Sequence, residues 1–198
     1  MKHLKMFGLA VMAAAALMAV VGAGTASATA LYNNGTKLAE NAEISSTLSS
    51  TAKLGTTGGE TLVTCTSGGV NGTISNAGGS GVDVVGNITS LTWGGCNHTT
   101  NTTANGSLSI TYTEGMNGTV KGSGSKVTVS ILGVSCEYGS NKTELGTATG
   151  TTEGEGNATI AINTVVEKVG GSFLCPSDAT WQAEYEVTSP TPLSVASE

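Results

Sequence analysis

Arginine is absent from the 198 residues, and with it the guanidinium fork that grips phosphate in two places at once. Eight lysines face fourteen acids, for a net charge of −6. Nucleic acid and anionic lipid both need clustered positive charge, so neither is expected as a partner. Charged residues are only 11% of the chain and prolines number three. Disordered chains combine low hydrophobicity with high charge and proline, so their shortage argues for a folded protein despite the abundant Gly, Ser, Thr and Asn. Aromatics are also scarce, at 4%, which points to a thin core. The 29 glycines thin it further, since each glycine within a strand costs roughly 0.5–1 kcal/mol relative to alanine.

Long hydrophobic runs are missing as well, apart from Met6 to Val21 near the start. That run follows Lys2 and Lys5, precedes Ala26-Ser27-Ala28, and is shorter than the ~20 apolar residues that span a bilayer. It reads as a helical signal peptide over residues 1–28, cleaved after Ala28, with Ala28-Thr29-Ala30 offering a second site two residues on. The first cysteine is Cys65, too distant to be a lipid-modified N-terminus. No apolar tail follows at the other end, so no integral anchor is expected in the mature chain, and the expected localisation is secreted, extracellular or loosely wall-associated.

The remaining length favours one domain. Its plainest stretch is Lys126 to Glu137, where Val127, Val129 and Ile131 alternate with Thr128 and Ser130, the period-two pattern of a strand with one buried face. Trp181, Ala183, Tyr185 and Val187 alternate in the same way with Gln182, Glu184 and Glu186. From Ala42 to Leu54 alternate apolar positions suggest a strand, although Ile44, Leu48 and Ala52 also fit a helical spacing. Further strands are expected over Thr61–Thr66, Thr73–Ser75, Val82–Val85, Asn87–Trp93, Leu108–Tyr112, Leu145–Thr149 and Ala158–Val169. Residues Asn97 to Asn105 carry no apolar period and read as a polar loop. Asn-Gly pairs at Asn34, Asn71, Asn105 and Asn117 are hairpin signals, because both residues tolerate the positive φ of a type I′ turn. About ten short strands at this spacing predict an all-β, antiparallel two-sheet β-sandwich, Ig-like or jelly-roll-like. Residues 29–59 are expected to add a strand, 60–189 to form the sandwich, and 190–198 to be a tail or edge strand.

Four cysteines in an exported chain imply disulfides, and the pairing expected is Cys65 with Cys96 and Cys136 with Cys175. Each closes a loop of about 32 to 40 residues, for roughly 3.5–4 kcal/mol in the chain-entropy account. Cys65 is followed by Gly86-Asn87-Ile88-Thr89 and then Cys96, and Cys136 by Gly156-Asn157-Ala158-Thr159 and then Cys175, an echo that motivates the same pairing. The cysteines lie singly with no Cys-x-x-Cys, so no metal site and no cofactor are expected.

Little in the chain carries catalytic chemistry. His98 has no partner motif, and no Gly-x-Ser-x-Gly elbow is present. Glu153 and Glu155 lie close together, but a glycosidase needs acids opposed across a cleft. With Asn157 they offer oxygens to calcium, yet the distal acid of an EF-hand-like loop falls on Thr164, and a solubilising turn is the simpler reading. Trp181 and Tyr185 belong to the buried face, whereas Trp93, just before Gly94-Gly95-Cys96, packs on the disulfide or stands at a sheet end. Nine asparagines (Asn34, Asn71, Asn87, Asn97, Asn101, Asn105, Asn117, Asn141 and Asn157) satisfy the Asn-x-Ser/Thr pattern, which this composition also produces without glycosylation.

The opening Met-Lys-His-Leu-Lys, the Cys65 strand, Ile88-Thr89-Ser90-Leu91-Thr92-Trp93 before Cys96, and Ala179-Thr180-Trp181 through Thr188-Ser189-Pro190-Thr191 resemble uncharacterised exported proteins of actinobacteria. The resemblance implies secretion and a bacterial source, and it carries no activity. The function expected is therefore a non-catalytic secreted or cell-surface β-sandwich protein with a binding or structural role, cell-wall or extracellular polysaccharide being the partner class considered. The rivals are a small-ligand carrier, of the kind seen in chromoprotein-like sandwiches, and a secreted hydrolase. A deep apolar pocket between the sheets would favour the carrier, and a flat polar surface the binding module.

Overall fold

The alternation of buried and exposed side chains runs through nearly all of residues 28–198, which the computed structural model describes; the signal segment lies outside them, apart from Ala28. Fourteen strands result: β1 (Ala30–Asn33), β2 (Thr36–Lys37), β3 (Glu43–Leu48), β4 (Ala52–Thr56), β5 (Thr61–Cys65), β6 (Ser67–Gly79), β7 (Val82–Gly94), β8 (Thr99–Thr103), β9 (Ser107–Tyr112), β10 (Asn117–Ile131), β11 (Val134–Thr149), β12 (Thr159–Gly171), β13 (Asp178–Ser189) and β14 (Ser194–Ala196). All ladders between them are antiparallel, in an 11-stranded and a 3-stranded sheet with a sandwich-like arrangement.

The large sheet turns back on itself. Its path runs β12-β11-β10-β9-β7-β6-β3-β13, and β13 pairs again with β12 from Ile160↔Tyr185 to Glu167↔Asp178. The two faces of the sandwich are thus joined along both sides by hydrogen bonds, which pairs both flanks of the ring strands β12 and β13 and leaves the short strands β5 and β8 as the edges of the large sheet. Two strands fork to make this possible. The first half of β13 (Ala179–Gln182) pairs β4, and the second half pairs β3. Likewise β10 pairs β9 over Gly118–Ser123 and β8 over Lys126–Ser130, with its bulges at the changeover around Gly122–Gly124.

At the forked end β5 pairs only β4, and its other side meets residues 94–97 through a clasp. Asn97 N–H donates to the Thr64 carbonyl (3.0 Å), Thr66 N–H to Gly94 (3.2 Å), and Thr64 N–H to Asn97 Oδ1 (2.8 Å). The Cys65–Cys96 disulfide lies within that clasp. Cys136–Cys175 ties β11 to the loop after β12, beside the Cys136↔Gly171 register. Both expected pairings are therefore present.

Buried side chains fall into two clusters along the ring. One, at the disulfide end, contains Leu54, Val63, Val127, Val129, Tyr138, Val166 and Tyr185. The other contains Ile74, Val84, Val120 and Val187, together with Leu31 and Val195 from the small sheet and Leu193 just before β14. The small sheet, in the order β14-β1-β2, closes that second end. Its first residues are tightly held: Thr29 is fully buried, its N–H donates to Gly79 (3.2 Å), and its Oγ1 accepts from Tyr112 N–H (2.8 Å).

Several sequence expectations change. Of the four Asn-Gly pairs, Asn34-Gly35 is a two-residue turn, with φ of 48° and 73°. Asn71-Gly72 lies inside β6 at a bulge, Asn105-Gly106 links β8 to β9, and Asn117-Gly118 opens β10. The expected polar loop at Asn97–Asn105 contains β8, whose threonines pair with β10 through backbone bonds and needed no apolar period to do so. The Ala42–Leu54 stretch is two strands rather than one, and Thr73–Ser75, Val82–Val85 and Asn87–Trp93 merge into the longer β6 and β7. Glycines in those stretches mark bulges and close approaches within strands and do not end them.

Candidate functional site

The strand bulges leave the interior imperfectly filled. β10 loses regular register between Gly122 and Lys126, and the β11–β12 ladder is interrupted between Gly139 and Gly146. Three apolar cavities of about 40, 30 and 80 Å³ lie inside the ring; Ser125 and Ser140, from these two places, line the first two, and the third lies beside the β6 bulge at Asn71-Gly72. Leu91, Ser125, Ser140 and Trp181 line both of the first two, and Val70, Leu108 and Ile160 join the first to the third. Each has room for water or a slender apolar group, far below the ~300–1,000 Å³ of a drug-sized ligand site.

An aromatic group stands at this gap. Trp93 Nε1 donates to Tyr185 Oη at 3.1 Å, and the Trp93 and Trp181 rings sit 6.0 Å apart, tilted by 53°. Burial raises the Tyr185 pKa to about 12, against the opposing pull of the Trp93 hydrogen bond. Trp181 Nε1 and Ser125 Oγ are buried with no hydrogen-bond partner among the described residues. A buried donor normally finds an acceptor, so these two polar groups at the wall of an apolar space are what an acceptor-bearing guest, or a water, would satisfy.

A second feature lies outside the ring, at the disulfide end. The β10–β11 hairpin turns through Leu132-Gly133, with φ of 50° and 83°, between the paired Ile131 and Val134. Leu132 is 99% exposed. One ladder away, the loop after β12 carries Phe173 and Leu174, exposed by 90% and 64%. That loop is fixed to the hairpin by Ser172 N–H donating to the Ser135 carbonyl (2.8 Å) and by the Cys136–Cys175 disulfide. Within it, Leu174 N–H donates to Ser172 Oγ (3.2 Å) and Cys175 N–H to the Ser172 carbonyl (3.1 Å).

The residues singled out from sequence fall elsewhere. His98 precedes β8, where its carbonyl accepts from Thr100 Oγ1 (3.0 Å). Glu153 and Glu155 occupy the exposed turn before β12, and the Thr152 hydroxyl and N–H hold the Glu155 carboxyl below the usual carboxylate range. Asn157 is half-buried and donates to Glu186 Oε1 (2.6 Å), so it does not join them. Among the described residues no three His, Cys, Asp or Glu side chains gather to hold a metal ion. Seven of the nine sequon asparagines are exposed, whereas Asn117 and Asn157 are half-buried. Ala28 is buried and is the first described residue. Among the described residues no helix is long and apolar enough to cross a membrane.

Sequence reasoning placed Trp181 and Tyr185 on the buried face but missed Ser125, Leu132, Phe173 and Leu174. A leucine before glycine at the tip of an alternating run, and a Phe-Leu pair between Gly-Gly and Cys-Pro, were the available signals. No family model matches the chain, and no curated protein and no solved structure matches it.

Proposed function

We propose that the chain is a non-catalytic protein of the extracellular space, secreted or held at the cell surface, with a binding or structural role. The observation that carries this reading is the edge-joined wall, clasped by Cys65–Cys96 and stapled again by Cys136–Cys175. Disulfides persist in oxidising compartments, and a closed wall resists strand addition where no chaperone is at hand. The wall's outward positions are mostly Thr, Ser, Asn and Glu, a polar face suited to hydrated partners such as wall polysaccharide.

The test is fractionation of the native culture into medium, wall and cell pellet. Retention on the wall with release by salt or sugar is the expected result. Protein found wholly free in the medium, with no retention on isolated wall material, overturns the surface-binding role, and protein confined to the cell pellet overturns the extracellular reading.

The carrier reading is favoured by one observation, the unpartnered Trp181 and Ser125 groups facing the interior cavities. Native mass spectrometry of the secreted protein decides it. A co-purifying small molecule, lost in Trp181→Phe with Ser125→Ala, would put the carrier first, and an empty protein of sequence mass would remove it.

A further inference from the structure

We propose that Leu132, Phe173 and Leu174 form a wedge that inserts into an uncharged lipid surface. This names a partner for the surface-binding reading above and rests on it.

The first support is exposure. These three side chains project from two neighbouring loops at one end of the molecule, and Val169, 46% exposed, lies below them on β12. Large apolar side chains grouped on a surface in this way mark contact sites. The second support is backbone conformation. Leu132 takes positive φ in a two-residue hairpin turn, a place where Asn, Asp or Gly is the ordinary choice and where a bulky residue is an outlier. The chain keeps leucine in an unfavourable conformation at the most exposed point of the tip.

Shape and charge identify the occupant. No charged residue lies between Ser130 and Cys136 or between Val169 and Ser177. The tip is made of projecting loops, and none of its three apolar residues lines the cavities described above. Its apolar part is three side chains with Val169 below them, against the roughly 20–30 residues a side of a stable protein interface, whereas a few apolar side chains reaching below the headgroups are enough for interfacial lipid binding. With eight lysines against fourteen acids and no arginine, the chain's charge disfavours anionic lipid. A zwitterionic or neutral lipid surface remains, bound by apolar insertion.

The experiment uses the oxidised secreted protein and phosphatidylcholine vesicles, read by co-sedimentation in 0.1 M and 1 M salt. Wild type is expected to sediment with vesicles equally at both. Leu132→Asn and Phe173→Ser should each weaken partitioning about tenfold, and Val82→Ser, at the far end of β7, should leave it unchanged. Leu132→Asn retains the hairpin turn, so lost binding in a folded variant reports on the tip. Independently, Leu132→Trp should show blue-shifted emission on vesicles and quenching by lipid-borne quenchers.

Four outcomes overturn the proposal: no wild-type binding to phosphatidylcholine, binding that needs anionic lipid and vanishes in 1 M salt, equal binding by the tip variants, or a lipid-free dimer that the tip variants abolish. The last would assign the tip to a second copy of the chain. Wall retention that survives in the tip variants would leave the broader surface-binding reading standing while removing the lipid partner.

Discussion

Trp93 and Tyr185, 92 residues apart, meet through a 3.1 Å hydrogen bond from the indole to the phenol inside the ring. Tyr185 is 2% exposed, and its pKa of about 12 lies above the ordinary value near 10. The folded protein therefore holds the phenol proton at alkaline pH where the unfolded chain releases it. Stability from this group is complete below pH 10 and is lost as pH rises toward 12, by on the order of 2–3 kcal/mol. Tyr138, raised by burial and by the negative charge of Asp178, adds in the same direction. Tyr185→Phe should flatten the alkaline limb of the melting-temperature profile and remove one late phenol from an absorbance titration. An unchanged limb would contradict the assignment.

The two disulfides should not be equivalent. Loop length alone gives each roughly 3.5–4 kcal/mol, with Cys136–Cys175 slightly ahead. The clasp reverses that order, because β5 has no ladder on the side that Cys65–Cys96 joins, whereas Cys136 stays beside Gly171 in a strand pair. Cys65→Ala with Cys96→Ala should lower the melting temperature by on the order of 10 °C and open β4 and β5 to hydrogen exchange. Cys136→Ala with Cys175→Ala should lower it less and leave those strands protected.

The expected signal-peptide cut bears on the small sheet. Removal after Ala28 leaves Thr29 able to donate to Gly79 and to accept from Tyr112, whereas removal after Ala30 deletes both bonds and a fully buried residue. The mature chain is expected to begin at Thr29, as Edman sequencing would show. A form beginning at Leu31 should be less stable by about 1–3 kcal/mol. Gly78→Ala should act similarly, since Gly78 has φ of 74° and an added Cβ would collide with the Thr29 carbonyl.

Leu132→Asn should stabilise the fold by about 1 kcal/mol, because asparagine tolerates the left-handed conformation that leucine resists. Chemical denaturation of the two forms measures this directly. A loss of stability would mean that Leu132 packs on something in the free protein.

Strands with one buried face announced themselves, as Val127, Val129 and the Trp181–Val187 alternation did, because burial imposes a period on side chains. β8 was silent since backbone pairing to β10 holds it and its side chains are all threonine or asparagine. Three of the four Asn-Gly pairs misled for a related reason. Such a pair permits a tight turn, but long-range ladders such as β3–β6 and β6–β7 decide whether the chain takes it. The aromatic group was half legible: Trp181 and Tyr185 share a strand face, but Trp93 and Ser125 reach them from β7 and β10. The two smaller cavities lie where the irregular stretches of β10 and β11 come together, a coincidence between distant segments that no local pattern encodes.

A wall whose seam is shut by Cys65–Cys96 has an edge that depends on its surroundings. In a reducing compartment the flank of β5 is guarded only by the hydrogen bonds of residues 94–97, which another strand could displace; oxidation locks them in place. The same chain is thus less finished as a dithiol than as a disulfide, so the redox state of its surroundings is written into how well its sheet is bounded.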